Sequence, residues 1–346
     1  MRATAILLVV FWHSYDAITY LAPGFHAPFF LDGVDLFFVL SGYLIGGILL
    51  AQLRKPQLTM GQRLRGFWSR RFFRTLPNYY LFLLVNIVIT FCGIGPGILN
   101  HNTVAYFAFL QNVWKPLDLF FWEAWSLVVE VWFYILFPVL VFTLIGKVRM
   151  QVRTAFMLVS ACFIIAPLLM RLHMAPGIVD IPASELTVRK LVTTRVDTVV
   201  YGVVAALMHA WYGTLWHRLR WPLFIVGLVG LCVVPTFYGE THLYYSLTWY
   251  YSLNALTMAL LLPLLSTWRK EPKGGGVVTW LSQVSYALFL VHMPLRALLE
   301  PYYDPSAGFG WLQLTGYWIV ATMLAWLIQR YYERPMMDLR ERVRQP

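Results

Sequence analysis

The 346 residues are 59% apolar or aromatic and only 12% charged, about half the charge a soluble surface carries, so a water-soluble domain is excluded. A net charge of +11, from 27 Lys/Arg against 16 Asp/Glu, reads in such a chain as basic loops on one side of a membrane, with no nucleic acid implied. Cys92, Cys162 and Cys232 are too far apart for a zinc site or a disulfide framework, and no metal is expected.

In chain order, ten apolar segments stand out: 3–21, 33–53, 76–98, 125–145, 154–170, 191–212, 221–238, 245–268, 277–300 and 310–332. A span needs about 20 apolar residues, so the expectation is an all-α, polytopic transmembrane bundle of about ten spans. With the N-terminus cytoplasmic, the connections 54–75, 146–153, 213–220 and 269–276, the tail 333–346 and Arg2 hold 20 of the 27 Lys/Arg, and the outer connections hold four (Lys115, Arg171, Arg189, Lys190). That asymmetry fits the positive-inside rule and puts both termini in the cytoplasm. The opening run is followed by His13, Ser14, Tyr15 and Asp16 with no small-residue cleavage signal, so it reads as a retained first helix. Gly274, Gly275 and Gly276 read as a cytoplasmic hinge.

Ionisable groups at membrane depth are costly and point to function. Arg2 and His13 are eleven residues apart, about three helical turns, so they share a face, with Arg2 expected at the cytoplasmic mouth and His13 about 16 Å deeper near mid-bilayer. In Gly33-Val-Asp-Leu-Phe-Phe-Val-Leu-Ser-Gly42, the small residues Ser41, Gly42, Gly46 and Gly47 permit close helix approach, but packing does not explain Asp35. Arg71 and Arg74 share a helix face, and their guanidinium forks suit anionic phosphates as well as they suit orientation in the membrane. Trp125-Ser-Leu-Val-Val-Glu130 carries a carboxylate into its span, Arg195 and Asp197 are placed to pair with other helices, and Ser285-Tyr to His292 brings a second histidine. Asp35, Glu130, Arg195, Asp197 and His292 then fall at similar outer depth, which suits either one polar cavity open to the outside or a set of interhelical ion pairs.

Taken together, the Arg2-x10-His13 pair, Gly33 to Gly42, Arg71-Phe-Phe-Arg74, Trp125 to Glu130, Ser285-Tyr to His292-Met-Pro and Glu333-Arg-Pro335 resemble the acyltransferase 3 family of integral membrane acyltransferases. In that family several residues usually precede the arginine, whereas here it is the second residue. The resemblance implies one membrane acyltransferase domain over 1–346 without an appended soluble domain, in the bacterial inner membrane. It implies transfer of an acyl group, often acetyl, from cytoplasmic acyl-CoA to a hydroxyl of a cell-surface glycan, a lipid or a small molecule. His13 then serves as general base or acyl carrier, Arg2, Arg71 and Arg74 hold the nucleotide end of the donor, and Asp35, Glu130 and His292 position the acceptor. The competing reading of the same buried charges is a transporter or flippase of an anionic or lipid-linked solute.

Overall fold

The computed structural model describes residues 1–27, 31–55, 57–116, 120–268, 275–303 and 310–343, and among these it is helical without a strand. The helices are α1 (Arg2–His13), α2 (Tyr15–Leu21), α3 (Gly33–Leu53), α4 (Met60–Phe91), α5 (Thr103–Phe107), α6 (Ala124–Gly146), α7 (Val152–Met174), α8 (Ile181–Ser184), α9 (Val192–Trp211), α10 (Gly213–Arg218), α11 (Arg220–Val233), α12 (Leu243–Thr248), α13 (Tyr250–Leu265), α14 (Gly275–Leu299), α15 (Gly310–Ile328) and α16 (Arg334–Val343). Each apolar segment read from the sequence overlaps at least one of these helices, though 76–98 runs past the end of α4 at Phe91 and 245–268 is divided between α12 and α13. Among the described residues seven helices are long and apolar enough to cross a membrane, or nine if two bent pairs each make one crossing, and α13 is a shorter apolar helix.

The centre of the bundle is α3, held between α1 and α9, with α14 on the far side of α1 and α15 outside α14. Its contact with α9 is backbone to backbone. A Cβ on Gly42 would stand 1.8 Å from the carbonyl oxygen of Val199, and one on Gly202 1.9 Å from that of Val39, so the crossing admits only glycine at both positions. Along α11 and α15 the outer residues, among them Ile225, Val229, Trp311, Ile319 and Met323, are apolar and exposed, which suits faces turned to lipid.

Local signals set the helix ends that matter for the site. Asp32 accepts a 2.8 Å hydrogen bond from the Val34 amide and starts α3. Thr59 and Gln62 form a capping box that starts α4 at Met60, so the stretch 60–75, read as connection, is helical and carries Arg63, Arg65, Arg70, Arg71 and Arg74 in fixed register. At 32 residues α4 is about 48 Å long, more than the hydrocarbon thickness of about 30 Å, so its polar first turns extend past the apolar layer. The chain turns by 60° between α1 and α2 at Ser14. Of the expected glycine hinge, Gly275 and Gly276 begin α14, while Gly274, with Arg269, Lys270 and Lys273, lies outside the described residues.

Candidate active site

A cavity of about 670 Å³, its mouth included, opens among α1, α3, α4, α6 and α14, and Arg2, Arg71 and Arg74 all line it. Two positions on one helix face of α4 thereby meet the first residue of α1, some seventy residues away in sequence. Glu130 and Tyr134 of α6 and Ser285, Tyr286 and Phe289 of α14 complete the wall. The Tyr134 hydroxyl donates to Glu130 Oε2 at 2.8 Å, and the Arg71 guanidinium stands 5.9 Å from the centre of the Tyr134 ring. Tyr134 is itself fixed from behind, since Trp68 Nε1 donates to its carbonyl at 2.9 Å. Tyr286 donates to the Thr75 carbonyl at 2.8 Å, tying α14 to α4 one residue beyond Arg74. One turn further on, Asn78 donates to Glu333 at 3.0 Å. Among the described residues no ion pair joins Arg2, Arg71 or Arg74 to a carboxylate.

His13 lies at the other end of α1. Arg2 stands level with Phe38 and Ser41, well inside α3, whereas Gly33 at the start of α3 abuts Ala5 and Val9, and Trp12 donates to the Leu31 carbonyl at 3.0 Å. Within the bundle, Arg2 thus stands beside the middle of α3 and His13 near the level at which α3 begins. The physical reason is packing, because α1 is twelve residues long and seats its small residues on Gly33.

The imidazole of His13 faces that of His292 on α14, with ring centres 4.9 Å apart. His13 Nδ1 is 2.8 Å from the carbonyl oxygen of Val9, and His292 Nδ1 is 3.2 Å from that of Leu288. A carbonyl only accepts, so in the neutral rings both Nδ1 atoms carry the proton and each Nε2 offers a lone pair. The surrounding backbone is held as well, since Arg296 donates to the His13 carbonyl and Tyr317 donates to the His292 carbonyl at 3.0 Å. His13 also lines a second cavity of about 1320 Å³, mouth included, whose wall includes Asp16, Tyr20, Tyr302, Gln313 and Tyr317. Phe289 stands between the two spaces, lining the arginine cavity with its ring 5.8 Å from His292 and 6.3 Å from Phe37.

The five groups expected at one depth are divided among three places. Glu130 is in the arginine cavity and His292 is against His13. Asp35 lines neither cavity: it is ion-paired with Arg195 in the protein interior and accepts from Asn254 at 3.0 Å. With both oxygens engaged and only 1% exposed, it has no surface to offer an acceptor. Arg195 lies 4.0 Å above the Tyr251 ring. Asp197 pairs at 2.8 Å with Arg171, which also donates to Ser252 at 2.6 Å and to the Thr248 carbonyl at 2.9 Å. Arg171, counted in the sequence as an outer-loop charge, is fully buried in the last turn of α7.

Sequence reasoning passed over Tyr134, whose signal is its i+4 spacing from Glu130, and Glu123, which precedes α6. Glu123 is buried, its Oε1 has no hydrogen-bond partner, and burial pushes its pKa up to about 8.

Comparison with known proteins places these features in a family. The acyltransferase domain model matches residues 1–330. The peptidoglycan O-acetyltransferase OatA of Listeria monocytogenes is 34% identical over 156 residues, covering 40% of this chain and 22% of that protein. The O-acetyltransferase OatA of Staphylococcus aureus (strain NCTC 8325) is 25% identical over 327 residues, covering 88% of this chain and 51% of that one. The chain thus spans about half the length of the Staphylococcus relative. No solved structure matches. With its arginine, histidine and Trp-Ser-Leu-x-x-Glu elements assembled around two adjoining cavities, the chain belongs to the acyltransferase 3 family.

Proposed function

We propose that the protein is an O-acyltransferase of the bacterial inner membrane. It takes an acyl group, acetyl by preference, from cytoplasmic acyl-CoA and passes it to a hydroxyl of a cell-surface glycan, a lipid or a small molecule. In this reading ten spans cross the bilayer and both termini are cytoplasmic, a topology that the distribution of Lys and Arg supports. The single observation that carries the reading is the convergence of Arg2, Arg71 and Arg74, without an ion pair among the described residues, on one cavity at one end of α1 while His13 stands at the other. The offset of eleven positions from Arg2 to His13 corresponds to about 16 Å of helix, a span for the pantetheine arm between its phosphates and its thioester.

Guanidinium forks at Arg2, Arg71 and Arg74 bind the phosphates. Glu130 then holds Tyr134 under Arg71 rather than touching the acceptor. His13 Nε2, its tautomer fixed by the Val9 carbonyl, takes the hydroxyl proton as the acceptor oxygen attacks the thioester carbon, and returns it to the departing thiolate. His292 holds the His13 ring in place. The acceptor is received in the second cavity, where tyrosine faces alternate with Asp16 and Gln313, a lining suited to a polyhydroxylated ring. The name of the Listeria relative, which specifies peptidoglycan, agrees with a glycan acceptor.

The test is incubation of the purified protein with radiolabelled acetyl-CoA and a soluble glycan, reading free thiol and labelled product. His13→Ala should lower transfer by at least about 100-fold while CoA binding persists. Solute flux without thioester cleavage would replace this reading with the transporter.

A further inference from the structure

A second basic recess lies where α3 ends and α4 begins, on a different face of α4 from the arginine cavity. Its lining includes Lys55, Arg63, Arg65, Ser69, Arg70 and Phe73. Positions 63, 66, 70 and 73 follow the helical repeat, and Gly66 leaves the floor between the basic residues uncovered.

The recess is built. Arg63 is 8% exposed, which is unusual for an arginine without a carboxylate. Its Nη2 donates to the Lys55 carbonyl at 2.7 Å and its Nη1 to the sulfur of Met60 at 3.3 Å, while its Nε has no partner. Gln52, buried on α3, bridges the walls when its amide is oriented to satisfy both neighbours, donating to the Arg63 carbonyl at 2.9 Å and accepting from Arg70. The chain has no Asp or Glu between Asp35 and Asp118, and among the described residues no ion pair involves Lys55, Arg63 or Arg65. A positive-inside loop needs only exposed charge. It gives no reason to bury Arg63 and leave its Nε unpaired, a cost that a bound anion removes.

We propose that this recess binds a phosphate-bearing anion through Arg63, Arg65 and Lys55. Phosphate accepts several charge-assisted hydrogen bonds at once and matches the guanidinium fork. The same chemistry is offered by the headgroup of an anionic phospholipid, whose chains would lie along Leu58 and Phe73, and by the nucleotide phosphates of a coenzyme. The inference stands apart from the role of Arg2, Arg71 and Arg74, because it concerns different residues and is read by binding alone.

The experiment uses the full chain in detergent. Native mass spectrometry compares retention of dioleoylphosphatidylglycerol with that of dioleoylphosphatidylcholine, and calorimetry compares coenzyme A with its 3′-dephospho form. The expected result is a preference for the more anionic partner in one of the two comparisons, phosphatidylglycerol over phosphatidylcholine or coenzyme A over its 3′-dephospho form, reduced about tenfold in Arg63→Gln/Arg65→Gln with the melting temperature of the parent. A lost lipid preference identifies the headgroup, and a lost coenzyme preference identifies the nucleotide phosphate. Lys55→Gln/Arg65→Gln, which alters only exposed side chains, decides the matter if the Arg63 variant fails to fold. Equal binding of both members of each pair by the parent, or preferences unchanged in the folded variant, would overturn the proposal.

Discussion

Two sets of three arginines divide the bundle. Arg171, Arg189 and Arg195 are each matched to a carboxylate, Asp197, Asp32 and Asp35 respectively, and two of these pairs are excluded from solvent altogether. Among the described residues, Arg2, Arg71 and Arg74 share a cavity without any such partner, and Glu130 is the one carboxylate on its wall. The same side chain thus does two different things. Where charge is matched within the fold, the arginine fixes how α3, α7, α9 and α13 meet. Where it is left in excess around a space, the proposed role is to receive an anion from outside.

The sharpest way to break this comparison is to unpair a matched arginine. Asp35→Ala leaves Arg195 buried without its counter-charge, at a cost of about 3–5 kcal/mol. The variant should melt far below the parent or fail to accumulate, and Asp35→Leu/Arg195→Met should regain much of the loss. If Asp35→Ala melted like the parent and lost only transfer, the pair would belong with the catalytic group.

How much of this was legible in the sequence follows the same division. Helical spans, the glycine crossing at Gly42 and the basic and histidine motifs are local patterns, set by periodicity and by residue size. Pairing is not local. Nothing in the apolar run of α7 announces that Arg171 meets Asp197, since the two come together only when α7 packs on α9. The level of α1 is not local either: counting residues along it gives the distance from Arg2 to His13, but where α1 sits against α3 is decided by the contact of Gly33 with Ala5 and Val9. The start of α4 was hidden because a run of arginine looks like a loop, although Thr59 and Gln62 have capping-box spacing.

A smaller effect concerns Glu123, a buried carboxyl that has no cation. Its pKa is raised to about 8 from an ordinary value near 4, so between those pH values the folded state binds the extra proton and stability falls as pH rises. Glu123→Gln removes the titration. Its melting temperature should change less than the parent's between pH 5 and pH 9, with a gain on the order of 2 kcal/mol at the alkaline end. Identical pH profiles would show that Glu123 is charged or paired in the folded protein.

Smaller again is an effect at Phe289, which lines the arginine cavity with its ring against His292. Under the proposed function the thioester reaches His13 past this ring, so Phe289→Trp should drop turnover about tenfold while CoA affinity holds, a kcat effect without a binding effect. A parallel loss of affinity would place Phe289 in the donor site itself.

The contrast between matched and unmatched arginines is tested most directly by CoA affinity, measured by calorimetry in detergent for the parent and for Arg71→Lys/Arg74→Lys. Lysine keeps the charge that orients the chain but not the planar fork, so the double variant should insert and melt as the parent does and bind CoA about tenfold more weakly, a difference of about 1.4 kcal/mol. Unchanged affinity in a normally folded double variant would contradict the account.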